Sequence, residues 1–228
     1  CSRDWSSDVC SSDLATGRPS FGEGPMGLLQ AQNDIEYEFI PEQVTEITPD
    51  IMARYDGLYV NSPKVTAASV ARADCRVKIV ARHGVGYDSV DVKALAQKGI
   101  LTTNTPVAVR RPVAVAALTF VFALAGKLMI KDQLTRQGRW HERTSHMGLG
   151  LTSRTLGVLG AGGIGQELLA LAKPFGWRML AADPHVPASR IQALGAELVS
   201  AETLLAQSDF VVACMILNEQ THHFLNAQ

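Results

Sequence analysis

Cysteine, net charge and long apolar runs are all scarce in this sequence. Four Cys stand in 228 residues. That is too few for a disulfide scaffold, and no CxxC or Cys/His spacing suits a metal, so no metal site is expected and a reducing compartment, the cytoplasm, is. Lys and Arg number 21 against 22 Asp and Glu, a balance that offers nothing to nucleic acid or to an anionic membrane. The longest apolar run, Pro112 to Gly126, is shorter than the ~20 residues of a bilayer span. What remains is a chain 46% apolar and 19% charged, with material for a sizeable core and a small molecule as the expected partner.

The opening stretch CSRDWSSDVCSSDL, Cys1 to Leu14, has no hydrophobic period and neither the cationic start nor the apolar core of a signal peptide. Asp4 to Leu14 resembles the conceptual translation of a sequencing adapter, and residues 1–14 are read as an artefactual tail. Setting it aside leaves Cys75 and Cys214, both in apolar surroundings where a free Cys is usually a small core residue.

From Ala15 to Arg110 short apolar runs alternate with polar helical stretches, the pattern of an α/β region. Strands are predicted at Ile35 to Ile40, which alternates with period two, and at Gly57 to Val60, Val77 to Arg82 and Ile100 to Thr103. Helices are predicted at Thr48 to Tyr55, Thr66 to Ala73 and Val90 to Lys98, each with apolar residues at helical spacing. The segment before Gly27 reads as a helix lacking the strand that leads into it, so the authentic amino terminus is expected to be missing. Pro112 to Gln137 reads as one long helix, apolar nearly all round up to Gly126 and needing cover on several sides.

After a Gly-rich stretch expected to loop (Gly138 to Leu151) comes the motif that carries chemistry. Leu156 to Leu159 is a predicted strand, Gly160-Ala161-Gly162-Gly163-Ile164-Gly165 fits GxGxxG, Gln166 to Ala172 is a predicted helix, and Arg178 to Ala182 is a strand ending at Asp183. Gly160 allows a tight turn, Gly162 lets the backbone approach a pyrophosphate, and Gly165 permits close helix-on-strand packing. Helix amides and the positive dipole end can hold phosphates without a cation, in keeping with the absence of Lys and Arg from the loop. Asp183, 18 residues beyond Gly165, is placed to accept hydrogen bonds from ribose hydroxyls and to repel a 2′-phosphate, which favours NAD over NADP. It would also serve as an ordinary turn residue before Pro184. Ala201 to Gln207 is a predicted helix and Asp209 to Ala213 a strand. Cys214, Met215 and Ile216 follow at the carboxyl end, where a doubly wound sheet has its ligand crevice. Cys214 lacks a basic neighbour to activate it. His222 and His223, adjacent at a predicted helix start, point apart and are expected to be exposed.

From about Gly57 onward the chain resembles the D-isomer-specific 2-hydroxyacid dehydrogenase family, which includes phosphoglycerate, glycerate and glyoxylate/hydroxypyruvate enzymes. The likeness rests on DGLYVNSPKVT, VKIVARHGVGYDSVDVKALAQKGILTTNTP, RRPVAVAALTF, LTSRTLGVLGAGGIGQ and AETLLAQSDFVVACMILNEQTHHFLN. It implies a Rossmann-type doubly wound parallel sheet beside a flavodoxin-like α/β substrate domain, both incomplete here. Residues 15–110 would be the amino-terminal part of the substrate-binding domain, and residues 111–228 a truncated NAD-binding domain opening with the helix 112–137.

The resemblance further implies binding of NAD by Gly160, Gly162, Gly163, Ile164, Gly165, Asp183, Val85 and Met215, and of a small 2-hydroxy/2-oxo acid by Asn61, Ser62, His83, Gly84, Val85 and Gly86. In HGVGYD, glycines would free the backbone amides to face the substrate carboxylate, and Val85 would approach the nicotinamide. Departures are Asn61, where many members have Arg; Val115, where many have an acid; and Cys214, where His is frequent. The family's Arg, Glu and His trio falls beyond Gln228, so no catalytic residue is expected in this chain, which reads as an inactive fragment of an NAD-dependent, homodimeric oxidoreductase. The alternative is an NAD-sensing, corepressor-like protein of the same fold without turnover.

Overall fold

The computed structural model describes residues 12–13, 18–19, 24–40 and 44–226. The chain divides into two compact units, Cys1–Thr105 and Pro106–Gln228.

In the first unit β1 (Ser12–Asp13) and β2 (Arg18–Pro19) form a short antiparallel pair. Residues 1–11 and 14 of the proposed tail lie outside the described residues. Of the helix predicted before Gly27, Gly24–Met26 forms one 3-10 turn leading into α1 (Gly27–Gln30), and residues 20–23 lie outside the description. Then come α2 (Pro49–Arg54), β3 (Gly57–Val60), β4 (Ile79–Arg82), α3 (Val92–Gln97) and β5 (Leu101–Thr103). The start of α2 combines Pro49 in its first turn with the Thr48 hydroxyl accepting the Ile51 amide at 3.3 Å, and α3 is capped by Asp91 accepting the Ala94 amide at 3.0 Å. The strands pair in parallel in the order β3-β4-β5 over a core that includes Ile47, Met52, Leu58, Val65, Val80 and Leu95.

Two predicted elements here are corrected. Ile35 to Ile40 forms no strand: on the face that the alternation makes apolar, Ile35 and Tyr37 stay 44% and 42% exposed, and no strand among the described residues pairs with it to complete a ladder. Thr66 to Ala73 forms turns rather than a helix. Its polar side chains take the backbone partners that a helix needs: the buried Ser69 hydroxyl accepts the Thr66 amide at 2.9 Å, and Thr66 Oγ1 accepts the Ala68 amide at 3.1 Å while donating to Glu46 at 2.6 Å.

The second unit opens with α4 (Arg110–Ala125) and α5 (Leu128–Arg136), then a 3-10 segment at Trp140–His146 inside the stretch expected to loop. The single helix expected over 112–137 is therefore two, bent by 62°. The break lies at Lys127, which adopts the left-handed region at φ 49, and the Leu149 amide donates to the carbonyl freed at Ala125 at 2.8 Å. α4 buries one stripe, Ala114, Leu118, Val121 and Ala125, while Val113, Val115, Phe120 and Leu124 are exposed. Among the described residues no single helix is long and apolar enough to cross a membrane.

There follow β6 (Thr155–Leu159), α6 (Gly163–Ala172), β7 (Arg178–Ala182), α7 (Ala188–Ala193), β8 (Glu197–Leu198), α8 (Ala201–Gln207) and β9 (Phe210–Ala213). The four strands are parallel in the order β8-β7-β6-β9. Every residue of β6 is buried, as a central parallel strand covered on both faces must be. α4 and α6 pack on the cluster that includes Leu156, Val158, Leu168, Leu169 and Met179, and Leu159, Leu180 and Leu204 form a smaller one. His222 and His223 lie in a turn, not at a helix start, with His223 at φ 56.

Candidate functional site

β6 is the strand at which the order reverses: β7 and β8 lie on one side of it and β9 on the other. Open α/β sheets hold their ligands outside the carboxyl ends of the strands at such a point. Gly160 ends β6 with φ 86, a conformation that costs an L side chain of order 1–3 kcal/mol. A Cβ there would also lie 2.5 Å from the Met215 amide nitrogen and 2.7 Å from Met215 Cα, so the loops after β6 and β9 close together. At Gly165 a Cβ would strike the Gly160 carbonyl and come within 3.1 Å of Val158 Cγ1, which ties α6 tightly to β6. Gly162 is the opposite case, since no atom lies within 4 Å of where its Cβ would be.

Backbone partners divide the loop in two. Gly160 donates to the Ala182 carbonyl at 2.9 Å, Ala161 to Asp183 Oδ2 at 2.8 Å, and Gln166 Nε2 to the Ala161 carbonyl at 2.7 Å. These bonds hold the turn. The amides of Gly162, Gly163 and Ile164 donate to none of the described residues, and they open the ten-residue helix α6. Free amides and a positive dipole end beside open space form a cradle for an anion.

Asp183 is half-buried at the end of β7, and its Oδ1 accepts the His185 amide at 2.8 Å. It is thus a turn residue and a support of the glycine loop at once. A carboxylate offers about four acceptor positions, so the two amides leave capacity for hydroxyl donors. Exposed His185 and Pro184 flank it. Met215 touches Gly160 through its backbone and packs on the Leu159, Leu180 and Leu204 cluster. Burial pushes the Cys214 thiol up to about 11, so it stays a protonated, poor nucleophile near neutrality.

In the first unit the residues named for an acid substrate gather at the carboxyl ends of parallel strands. Asn61 and Ser62 follow β3, and His83, Gly84, Val85 and Gly86 follow β4. The His83 amide donates to the Val60 carbonyl at 2.8 Å. Gly84, at φ 106, donates to Thr105 Oγ1 at 2.9 Å and its carbonyl accepts the Thr105 amide at 2.9 Å. Asn104 Nδ2 donates to the Val85 carbonyl at 2.9 Å. The amides of Val85 and Gly86 donate to none of the described residues. The His83 ring hydrogen-bonds the Tyr59 hydroxyl and meets the Tyr59 ring edge-on, centroids 5.6 Å apart. Burial raises the Tyr59 hydroxyl above its ordinary pKa, against an opposing pull from the Arg82 charge. Asn104, Thr105 and Tyr59 lie within the segments that carry the family likeness, but the sequence reading gives them no role. The available signal was positional, because residues after β5 must meet residues after β4 when the two strands pair in parallel. Among the described residues no three His, Cys, Asp or Glu side chains are grouped to hold a metal ion.

Residues 118–228 match the family model described as D-isomer specific 2-hydroxyacid dehydrogenase, NAD binding domain. The chain is 34% identical over 208 residues to the chloroplastic D-3-phosphoglycerate dehydrogenase 2 of Arabidopsis thaliana, covering 90% of this chain and 32% of that protein. It is 34% identical over 187 residues to the hydroxypyruvate reductase of Thermotoga maritima, covering 82% and 58%. Among solved structures it resembles a glyoxylate reductase from Paecilomyes thermophila at 27% identity and a TM-score of 0.74, covering 88% of this chain and 63% of that one. The chain thus spans 32% to 63% of the length of these relatives. A glycine turn at the reversal point of a parallel sheet, followed by a helix with free amides and an acid after the next strand, accounts physically for these matches: residues 118–228 have the sequence of a D-isomer specific 2-hydroxyacid dehydrogenase NAD binding domain.

Proposed function

We propose that the protein is an NAD-dependent oxidoreductase that moves a hydride between NAD(H) and a small 2-hydroxy or 2-oxo acid. One observation carries this reading: the free amides of Gly162, Gly163 and Ile164 stand at the sheet's reversal point, with open space at Gly162 and the Asp183 carboxylate bonded to the same loop. In it, Gly160, Gly162, Gly163, Ile164 and Gly165 shape the diphosphate cradle, Asp183 takes the adenosine ribose, and Met215 lines the edge of the crevice. The nicotinamide, when bound, supplies the hydride. The residues of this chain bind and orient.

Residues 15–110, most of which lie in the first unit, form the substrate-binding part. The unpaired amides of Val85 and Gly86 face the acid's carboxylate, with Asn61, Ser62, His83 and Gly84 around them. Asn61 supplies no charge for a substrate phosphate, which favours an unphosphorylated acid. The catalytic names of the relatives favour turnover over a sensor without chemistry. Exposed Val113, Val115, Phe120 and Leu124 on α4 support a homodimer. Near-neutral charge and scarce cysteine support a cytoplasmic protein with no nucleic acid or membrane partner.

Isothermal titration of the chain with NAD and NADP tests the cofactor assignment, with NAD expected to bind the tighter. Equal affinity, or no binding of either, overturns it. NADH oxidation by the protein containing this chain, across a panel of 2-oxo acids, tests the reaction, and silence with every acid overturns it.

A further inference from the structure

The glycine loop brings no Lys or Arg of its own to a diphosphate, yet the fold brings one to it. α4 packs along α6, and Arg110, the first residue of α4, reaches the opening of α6. A Cβ on Gly163 would lie 2.6 Å from Arg110 Nε and 3.1 Å from Arg110 Cζ. The guanidinium therefore fills the space that any side chain at 163 would need. Its Nε donates to the Pro106 carbonyl at 3.3 Å, and no carboxylate among the described residues pairs with it.

Helix electrostatics make this placement costly without an anion. Arg110 and Arg111 both stand in the first turn of α4, which has no acidic residue and no side-chain cap, so two cations sit at the positive end of a helix dipole. Arg111 is compensated, since its Nη1 holds Glu167 Oε1, the only acid of α6, at 2.9 Å. Arg110 is not. Its charge, the opening of α4 and the opening of α6 concentrate positive potential beside the free amides of Gly162, Gly163 and Ile164.

We propose that Arg110 is a cofactor-binding residue whose guanidinium pairs with a phosphate oxygen of the dinucleotide, and that Gly163 makes room for it. The proposal rests on the dinucleotide reading above and adds a cation to a cradle otherwise built of backbone. A guanidinium suits the task because it is always charged and presents a fork of donors to phosphate oxygens.

The test is the affinity of the chain for ADP-ribose, which carries the diphosphate, and for adenosine, which does not. Arg110→Ala is expected to weaken ADP-ribose about tenfold, the scale of one charge-assisted hydrogen bond, and to leave adenosine unchanged. Arg110→Lys is expected to recover part of the loss. Gly163→Ala, which displaces the guanidinium, should weaken ADP-ribose severalfold in the unaltered background and have no further effect beside Arg110→Ala. Unchanged ADP-ribose binding in Arg110→Ala, or equal losses for both ligands together with a lowered Tm, overturns the proposal. Failure of the unaltered chain to bind ADP-ribose would instead remove the dinucleotide reading itself, and this inference with it.

Discussion

The two glycine loops of this chain end parallel strands in the same way and are held in different ways. Gly160–Gly165 runs directly into α6, so its free amides are fixed by the helix they begin. His83–Asp88 does not run directly into a helix, since α3 begins only at Val92. Gly84 and Val85 are held by Thr105 and Asn104, from beyond the neighbouring strand β5. A cradle carried by a helix is a local product of consecutive residues, whereas a cradle pinned from the side exists only once its sheet has formed.

Gly160→Ala should break the first loop most severely. The new methyl would meet the Met215 backbone at 2.5 Å with φ at 86, and strain with overpacking is expected to cost on the order of 3 kcal/mol. Thermal unfolding and NAD titration should both fall; wild-type values in both would mean that the approach to Met215 does not shape the loop. Asp183→Asn should cost less, about tenfold in NAD affinity for one charged hydrogen bond, with NADP unaffected or improved. An unchanged ratio of the two affinities would remove Asp183 from the ribose.

The pinned loop should respond to distant changes. Thr105→Val removes the acceptor of the Gly84 amide and is expected to cost about 1 kcal/mol. Hydrogen exchange should speed at Gly84 and Thr105 while Gly160–Gly165 stays as it was. Faster exchange in both loops would contradict their separate construction.

The smallest effect concerns acid. The Thr155 amide, and after it the Arg154 guanidinium, hold the Asp209 carboxyl below its ordinary pKa. A group depressed on folding stabilises fully above its unfolded value near ~4, and that stability is lost as pH falls toward the folded value. Urea midpoints between pH 6 and pH 2.5 should therefore fall less steeply in Asp209→Asn, and identical slopes would exclude this contribution.

Most elements of the second unit are legible in the sequence. β7 and α8 span the residues their patterns predict, and β6, α6 and β9 differ only at their ends, because buried parallel strands and capped helices write their signals over a few consecutive residues. Ile35 to Ile40 alternates correctly but finds no partner strand, Thr66 to Ala73 loses its helix to its own hydroxyls, and the long helix breaks where Lys127 turns left-handed and the Leu149 amide takes the carbonyl of Ala125. The first and third outcomes depend on a partner that no local window contains, whereas the Thr66 and Ser69 hydroxyls act within three residues and compete with the helix locally.

By itself the sequence determined the glycine turn, the helix that opens behind it and the acid after the next strand, because conformational freedom, capping and chain direction are properties of neighbouring residues. Only the tertiary structure decided that Met215 closes on Gly160, that Thr105 and Asn104 hold the HGVGYD loop, and that Arg110 occupies the space at Gly163. Those contacts come from strand order, register and helix packing, which bring together residues that sequence distance keeps apart.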